Sequence, residues 1–234
     1  MIRFAYGVLL SASLFSPVLW AAGSAEMTGT DQQGQTVRVH VEMNAQQDLR
    51  AFLADKPENY LLHSKGQTFH VVNLKGQPIA MTTQDVLRIA GSHMPSPGDV
   101  LRQVSQVNAL ENTKQPVTVA GIEGIRYRLK YLDGQRQART AELVLTRDPV
   151  AAELTLKVLA LALSLSKEAK LDLPEGATTL FTRLQQENLG LLRFEKQFEV
   201  LRLDPVEPPA SRFRLPSSSV QLPNLEQWLP KLGF

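Results

Sequence analysis

Four histidines, His40, His63, His70 and His93, are the side chains best suited to ligate a metal or move a proton. Strand geometry could gather His40, His63 and His70, yet no two stand at close ligand spacing and no His-Glu-x-x-His pattern occurs. Serine hydrolysis lacks a Gly-x-Ser-x-Gly elbow, and His63 beside Ser64 is only a chain-neighbour pair. No glycine-rich phosphate loop is present, and carboxylate pairs of the glycosidase kind meet only in space. The chain has no cysteine, so thiol nucleophiles, thiolate metal sites and disulfides are excluded. The expectation is a protein that is not an enzyme and carries neither cofactor nor metal.

The informative cation is Arg139. Residues 121 to 145 read GIEGIRYRLKYLDGQRQARTAELVL, in which Ile125, Tyr127, Leu129 and Tyr131 alternate with Arg126, Arg128 and Lys130. A two-residue Asp133-Gly134 turn would mix the faces of the hairpin. A three-residue loop of Leu132, Asp133 and Gly134, with Gly134 left-handed, keeps them apart and pairs Tyr131 with Gln135, Tyr127 with Arg139 and Ile125 with Ala141. In that register Arg139 shares the apolar face with Tyr127, Tyr131 and Leu143, where it could anchor a carboxylate or phosphate headgroup, or else pack its stem and reach water. Arg126, Arg128 and Lys130 form the opposite face with Glu142 among them. That stripe reads as the wet side of a sheet, or as a docking surface for an acidic partner or lipid headgroups.

These groups need elements to hold them. Gln35 to Met43 alternates Val37, Val39, Val41 and Met43 with Arg38, His40 and Glu42, a half-buried strand. Runs at 60–63, 68–74 and 77–82 are split by Lys65-Gly66 and Lys75-Gly76, which predicts an antiparallel meander. Residues 48–54 fit a strand or a short helix, and 83–107 fit two short helical pieces around GSHMPSPGD. The sheet resumes at Pro116 to Ile122. Asp148-Pro149 then caps and opens a helix, VAAELTLKVLALALSLSKEAK, apolar almost all round and so buried on more than one side. Its longest apolar run, Val158 to Leu163, is too short to span a bilayer. A second helix over 177–189 should end at Gly190, followed by strands at 191–194 and 198–203, a proline-rich passage and the amphipathic tail NLEQWLPKLGF, in which Trp228 offers a further contact surface.

The N-terminus, MIRFAYGVLLSASLFSPVLWAAGSAEM, has the basic, apolar and small-residue regions of a secretory signal peptide, cut after Ala21, Ala22 or Ala25. The domain plan is therefore a signal over 1–22 and a single domain over 23–234. Losing Arg3 leaves 24 Lys and Arg against 23 Asp and Glu, a balance that argues against a nucleic-acid partner. Without disulfides, stability must come from an apolar core, which this length supports.

The stretch VTVAGIEGIRYRLKYLDGQRQARTAELVLTRDP, the apolar helix, FEVLRLD with SRFRLP, and the earlier DLRAFLADKPENYLLHSKGQTFHVVNLKGQPIAMT resemble periplasmic half-barrel proteins of the LolA/LolB-like superfamily, and more closely a bacterial branch of unassigned function. The resemblance favours strand over helix for 48–54. It implies an α+β fold, a strongly curved antiparallel half-barrel of about eleven strands wrapped around a few helices. It also implies a non-enzymatic periplasmic protein that binds a lipid, acyl chain or other hydrophobic ligand in the concavity. Tyr127, Tyr131, Arg139, Leu143, Val158 and Leu161 are the candidate ligand contacts. Arg126, Arg128, Lys130 and Trp228 are the candidate partner surface, for another envelope protein or a peripheral membrane contact. The other readings are an envelope protein-interaction or stress-sensing module with a filled core and, more remotely, a periplasmic hydrolase.

Overall fold

The structure is a computed structural model and describes residues 21–30, 34–90, 103–171 and 173–216. Most of the expected signal segment, His93 and the Trp228 tail lie outside the described residues.

Eleven strands form one antiparallel sheet: β1 (Gly23–Thr30), β2 (Thr36–Met43), β3 (Leu49–Leu53), β4 (Tyr60–Ser64), β5 (Gln67–Leu74), β6 (Gln77–Thr82), β7 (Gln106–Val119), β8 (Ile122–Leu132), β9 (Ala138–Thr146), β10 (Gly190–Phe194) and β11 (Phe198–Asp204). Their order is β6-β5-β4-β3-β2-β1-β11-β10-β9-β8-β7, so every neighbour is also a sequence neighbour except at the β1–β11 junction. The sheet does not close into a barrel. It ends at β6 and β7, and each of these edge strands carries a proline, Pro78 and Pro116, where a missing ladder donor is tolerated. The helices are α1 (Thr83–Ala90), α2 (Pro149–Glu168) and α3 (Glu175–Glu187), and a 3-10 turn spans Ala210–Phe213.

Turn chemistry accounts for much of this register. Lys65-Gly66, Lys75-Gly76 and Ala120-Gly121 all take positive φ at both positions and close two-residue hairpins of the type whose twist matches the flanking strands. The third of these was not expected, and it ends β7 at Val119 inside the run read as one strand to Ile122. β7 also starts ten residues earlier than the expected Pro116. Its bulges at Val107–Ala109 and Asn112–Pro116 break the alternation by which such a strand is recognised. β1 was not anticipated either, since GSAEMTGT carries few strand-favouring side chains.

The β8–β9 hairpin keeps its expected faces but not its loop. Tyr131 pairs with Arg139, Tyr127 with Leu143 and Ile125 with Leu145, leaving a five-residue loop over Asp133 to Gln137. The Asp133 carboxylate accepts from the backbone N–H of Gln135 and of Gln137, both at 2.9 Å, and Arg136 rather than Gly134 is left-handed. This Asx-stabilised loop lengthens the turn by two residues and so preserves the parity of every side chain.

Asp148 caps α2 as expected, its Oδ1 accepting from Val150 at 3.0 Å and Ala151 at 2.9 Å. By length and composition α2 could cross a bilayer, with a hydropathy of 1.5 over its best window; in the fold it packs on β10 and β1. α3 ends at Asn188 in the left-handed conformation, not at Gly190. Gly190 instead opens β10, where a Cβ would lie 2.6 Å from the backbone of Ala151 and Ala152, so glycine there permits close approach of strand and helix. One apolar cluster joins Tyr127, Leu129, Tyr131 and Leu143 to Leu180 and Leu184 of α3. A second joins Ala25, Val41, Met43 and Leu49 to Leu154, Leu161 and Leu165 of α2. Leu156 and Leu159 of α2 also pack against the first cluster, so the long helix serves both halves of the sheet.

Candidate functional site: an apolar cavity between sheet and helices

Between these two clusters the packing is incomplete. An empty volume of about 370 Å³ is bounded on the sheet side by Met27, Val39, Val41, Ala51 and Leu61 from β1 to β4, and by Leu143, Leu191, Phe194, Phe198 and Leu203 from β9 to β11. Leu154, Val158, Leu159, Leu161 and Ala162 of α2 and Phe181 of α3 complete the wall. Strand alternation explains this lining, because Val39, Val41 and Met43 face the helices while Arg38, His40 and Glu42 face away.

Among the described residues no ionisable side chain lines the cavity. Of its few polar groups, Thr155 Oγ1 is already engaged by the Leu191 N–H at 2.9 Å and Thr28 Oγ1 reaches the Glu199 carbonyl at 3.4 Å. Gln197, on the β10–β11 turn, donates through Nε2 to Gln103 at 3.4 Å, and its buried Oε1 has no partner among the described residues. Such a space suits an apolar molecule, with one acceptor at the Gln197 end for a ligand that donates a hydrogen bond.

Three of the candidate ligand contacts, Leu143, Val158 and Leu161, come together in this wall. Tyr127 and Tyr131 do not; they are buried on the same sheet face in the neighbouring cluster beneath α3, where the Tyr127 hydroxyl accepts from Asn112 Nδ2 at 3.1 Å. Burial pushes the Tyr131 phenol above its ordinary range, with Arg139 opposing. Arg139 is exposed at the hairpin loop, its Nε 2.9 Å from Asp133 Oδ2 and its terminal nitrogen 2.7 Å from Gln137 Oε1. The longer loop supplies these partners. Backbone donation from Gln137, then the Arg139 guanidinium, hold the Asp133 carboxyl below the usual carboxylate range. The cavity residues not anticipated, among them Met27, Phe181 and Gln197, sit on β1, α3 and a turn. Only the Phe194 to Phe198 spacing across a short turn hinted at them.

The basic stripe is partly balanced by two carboxylates, Glu111 and Glu142, the second of them shared with Arg193. Arg126 Nε lies 3.3 Å from Glu142 Oε1, Lys130 Nζ 2.6 Å from Glu111 Oε1, and Arg128 pairs in register with both Glu111 and Glu142. Trp228 lies outside the described residues.

His40 lies apart from His63 and His70, which share one face of β4 and β5. His40 faces away from the cavity, stacked on Phe52 at 5.3 Å and 3.6 Å from Glu26. His63 and His70 bond Thr68 Oγ1 at 3.0 Å and Thr83 Oγ1 at 3.3 Å. Among the described residues no group of three or more histidines and carboxylates is placed to hold a metal ion.

No protein-family model, curated protein or solved structure matches the chain.

Proposed function

We propose that this chain is a non-enzymatic carrier or receptor for a lipid, an acyl chain or another hydrophobic molecule, held between the sheet and α2. The observation that carries the reading is the uncharged cavity of about 370 Å³, within the size range of small-molecule sites. Its walls are mostly leucine, valine, phenylalanine and alanine, which offer burial of apolar area. A strongly curved, half-barrel form of the sheet is part of the proposal. Seven neighbouring strands, β4 to β9 through the β1–β11 junction, line one cavity. Laid flat they would extend roughly 30 Å, against a helix about 10 Å wide, so wrapping is what lets so narrow an element share a space with them all.

The periplasm is the proposed compartment. Gly23 opens β1 with its Cα packed close to Asp204 and Val150, and Ala25 is buried, so cleavage after Ala21 or Ala22 leaves the strand whole whereas cleavage after Ala25 truncates it. The cross-strand carboxylates that match Arg126 and Lys130 weigh against the stripe as the principal partner surface.

Native mass spectrometry of protein purified from cells, together with uptake of a fluorescent fatty acid, tests the proposal. Wild type should carry or take up lipid. Ala162→Phe and Ala51→Leu, which push side chains into the empty volume, should weaken uptake about tenfold or more while leaving the thermal midpoint within a few degrees. Wild-type protein recovered free of lipid and inert to the probe would overturn it.

A further inference from the structure

On the face of the sheet turned away from the cavity, three arginines line one cleft with Ser211 and two aromatic rings. Alternation sends Ala51 and Val41 into the cavity and Arg50, Phe52 and Glu42 to this opposite side. Glu42 is buried, with only 3% of its surface exposed, and both its oxygens are used. Oε2 accepts from Arg50 at 3.0 Å and Oε1 from Arg212, which reaches over from the 3-10 turn packed on β3.

Arg50 is fixed on every side. Its guanidinium carbon lies 4.4 Å from the centre of the Phe52 ring and 4.3 Å from that of Tyr60, and a terminal nitrogen donates to the Pro57 carbonyl at 3.1 Å. Phe213, buried, pins the turn that brings Ser211, Arg212 and Arg214 to the same opening. Among the described residues no carboxylate lines the cleft, and Glu42 beneath it neutralises one of three positive charges. Arg214 has no ion pair among the described residues, and the Arg212 side chain is half exposed.

A buried carboxylate that holds two guanidiniums side by side is a costly way to staple a turn, since apolar packing would serve stability as well. It is an effective way to preorganise donors for an anion, because planar guanidiniums present paired N–H groups that match phosphate oxygens. We propose that Arg50, Arg212, Arg214 and the Ser211 hydroxyl form a binding site for a phosphate group, carried either by a free phosphate ester or by an anionic lipid headgroup. The site lies on the opposite face from the cavity, so it stands or falls independently of hydrophobic ligand binding.

Isothermal titration with inorganic phosphate and with glycerol phosphate, and flotation with vesicles of phosphatidylcholine alone or mixed with equal parts phosphatidylglycerol, test the assignment. Arg214→Gln leaves the Glu42 pair untouched and should weaken binding about tenfold, as expected for losing one charge-assisted contact. Arg136→Gln, in the exposed loop between β8 and β9, should bind as wild type does. Binding should also fall with added sodium chloride. Phosphate esters bound without flotation identify a soluble ester, and flotation confined to the phosphatidylglycerol mixture identifies a headgroup. Failure of wild type to bind any of these probes, or an Arg214→Gln protein indistinguishable from Arg136→Gln, would overturn the site.

Discussion

His63 and His70 stand where β4 and β5 approach the C-terminal end of α2, and burial lowers both imidazoles below their ordinary value of 6.5. For His63 the Lys157 charge reinforces burial while Asp48 and Glu168 oppose it; for His70 only Glu168 opposes. A histidine whose folded value is depressed binds fewer protons in the folded state than in the unfolded chain. Its contribution is therefore whole above about pH 6.5 and is lost as pH falls from there through the lowered value. Urea midpoints should be lower at about pH 5 than at about pH 7.5. The drop should be smaller in His70→Gln, and a variant as pH-sensitive as wild type would remove His70 as the cause. Little of this was readable from residue types, because a histidine's surroundings are set by strands distant in the chain.

At the scale of elements, α2 has two kinds of neighbour. Leu129 of β8 is fully buried in the solid cluster beneath α3, whereas Leu161 faces empty space on one side and lacks the contact atoms that space would hold. Leu129→Ala should therefore cost about 3–5 kcal/mol and Leu161→Ala nearer 2 kcal/mol, measured by chemical denaturation of ligand-free protein. Equal losses would mean that the cavity wall is as tightly packed as the rest. The helix itself was plain from its Asp-Pro opening and continuous apolar character, and β2 and β4 to β6 from alternation broken by Lys-Gly turns. What escaped were departures from period: the bulged β7, the plain β1, and the Asp133 loop, whose side-chain bonds to Gln135 and Gln137 outweigh the usual preference for glycine. An apolar helix facing an apolar sheet face was legible, though as filled core or cavity alike, and three of the cavity's wall residues were among the candidates. The cavity's distance from Tyr127, Tyr131 and Arg139 was not legible, because that depends on where α3 settles.

The molecule as a whole is two meanders joined by a single non-sequential pairing, Ser24 to Gly29 of β1 against Phe198 to Asp204 of β11. Ala25, buried between Val41 and Leu203 at this junction, belongs to the sheet ladder and to the cavity wall at once. Ala25→Asp would bury an unpaired charge there, at a cost of about 3–5 kcal/mol. Amides of β5 and β8, on opposite sides of the junction, should lose hydrogen-exchange protection together with rising denaturant. Separate losses would show that the two meanders fold as independent units.

That junction also sets a schedule for a growing chain. Among the described strands, the first to be synthesised is the one whose outer partner is synthesised last. At roughly 5–20 residues per second, β1 precedes β11 by on the order of ten seconds or more, its outer edge open to water in place of a strand. Until β11 arrives, the nascent protein shows its environment a bare strand border, a surface on which a chaperone could act and at which two unfinished copies could mistake each other for their missing half.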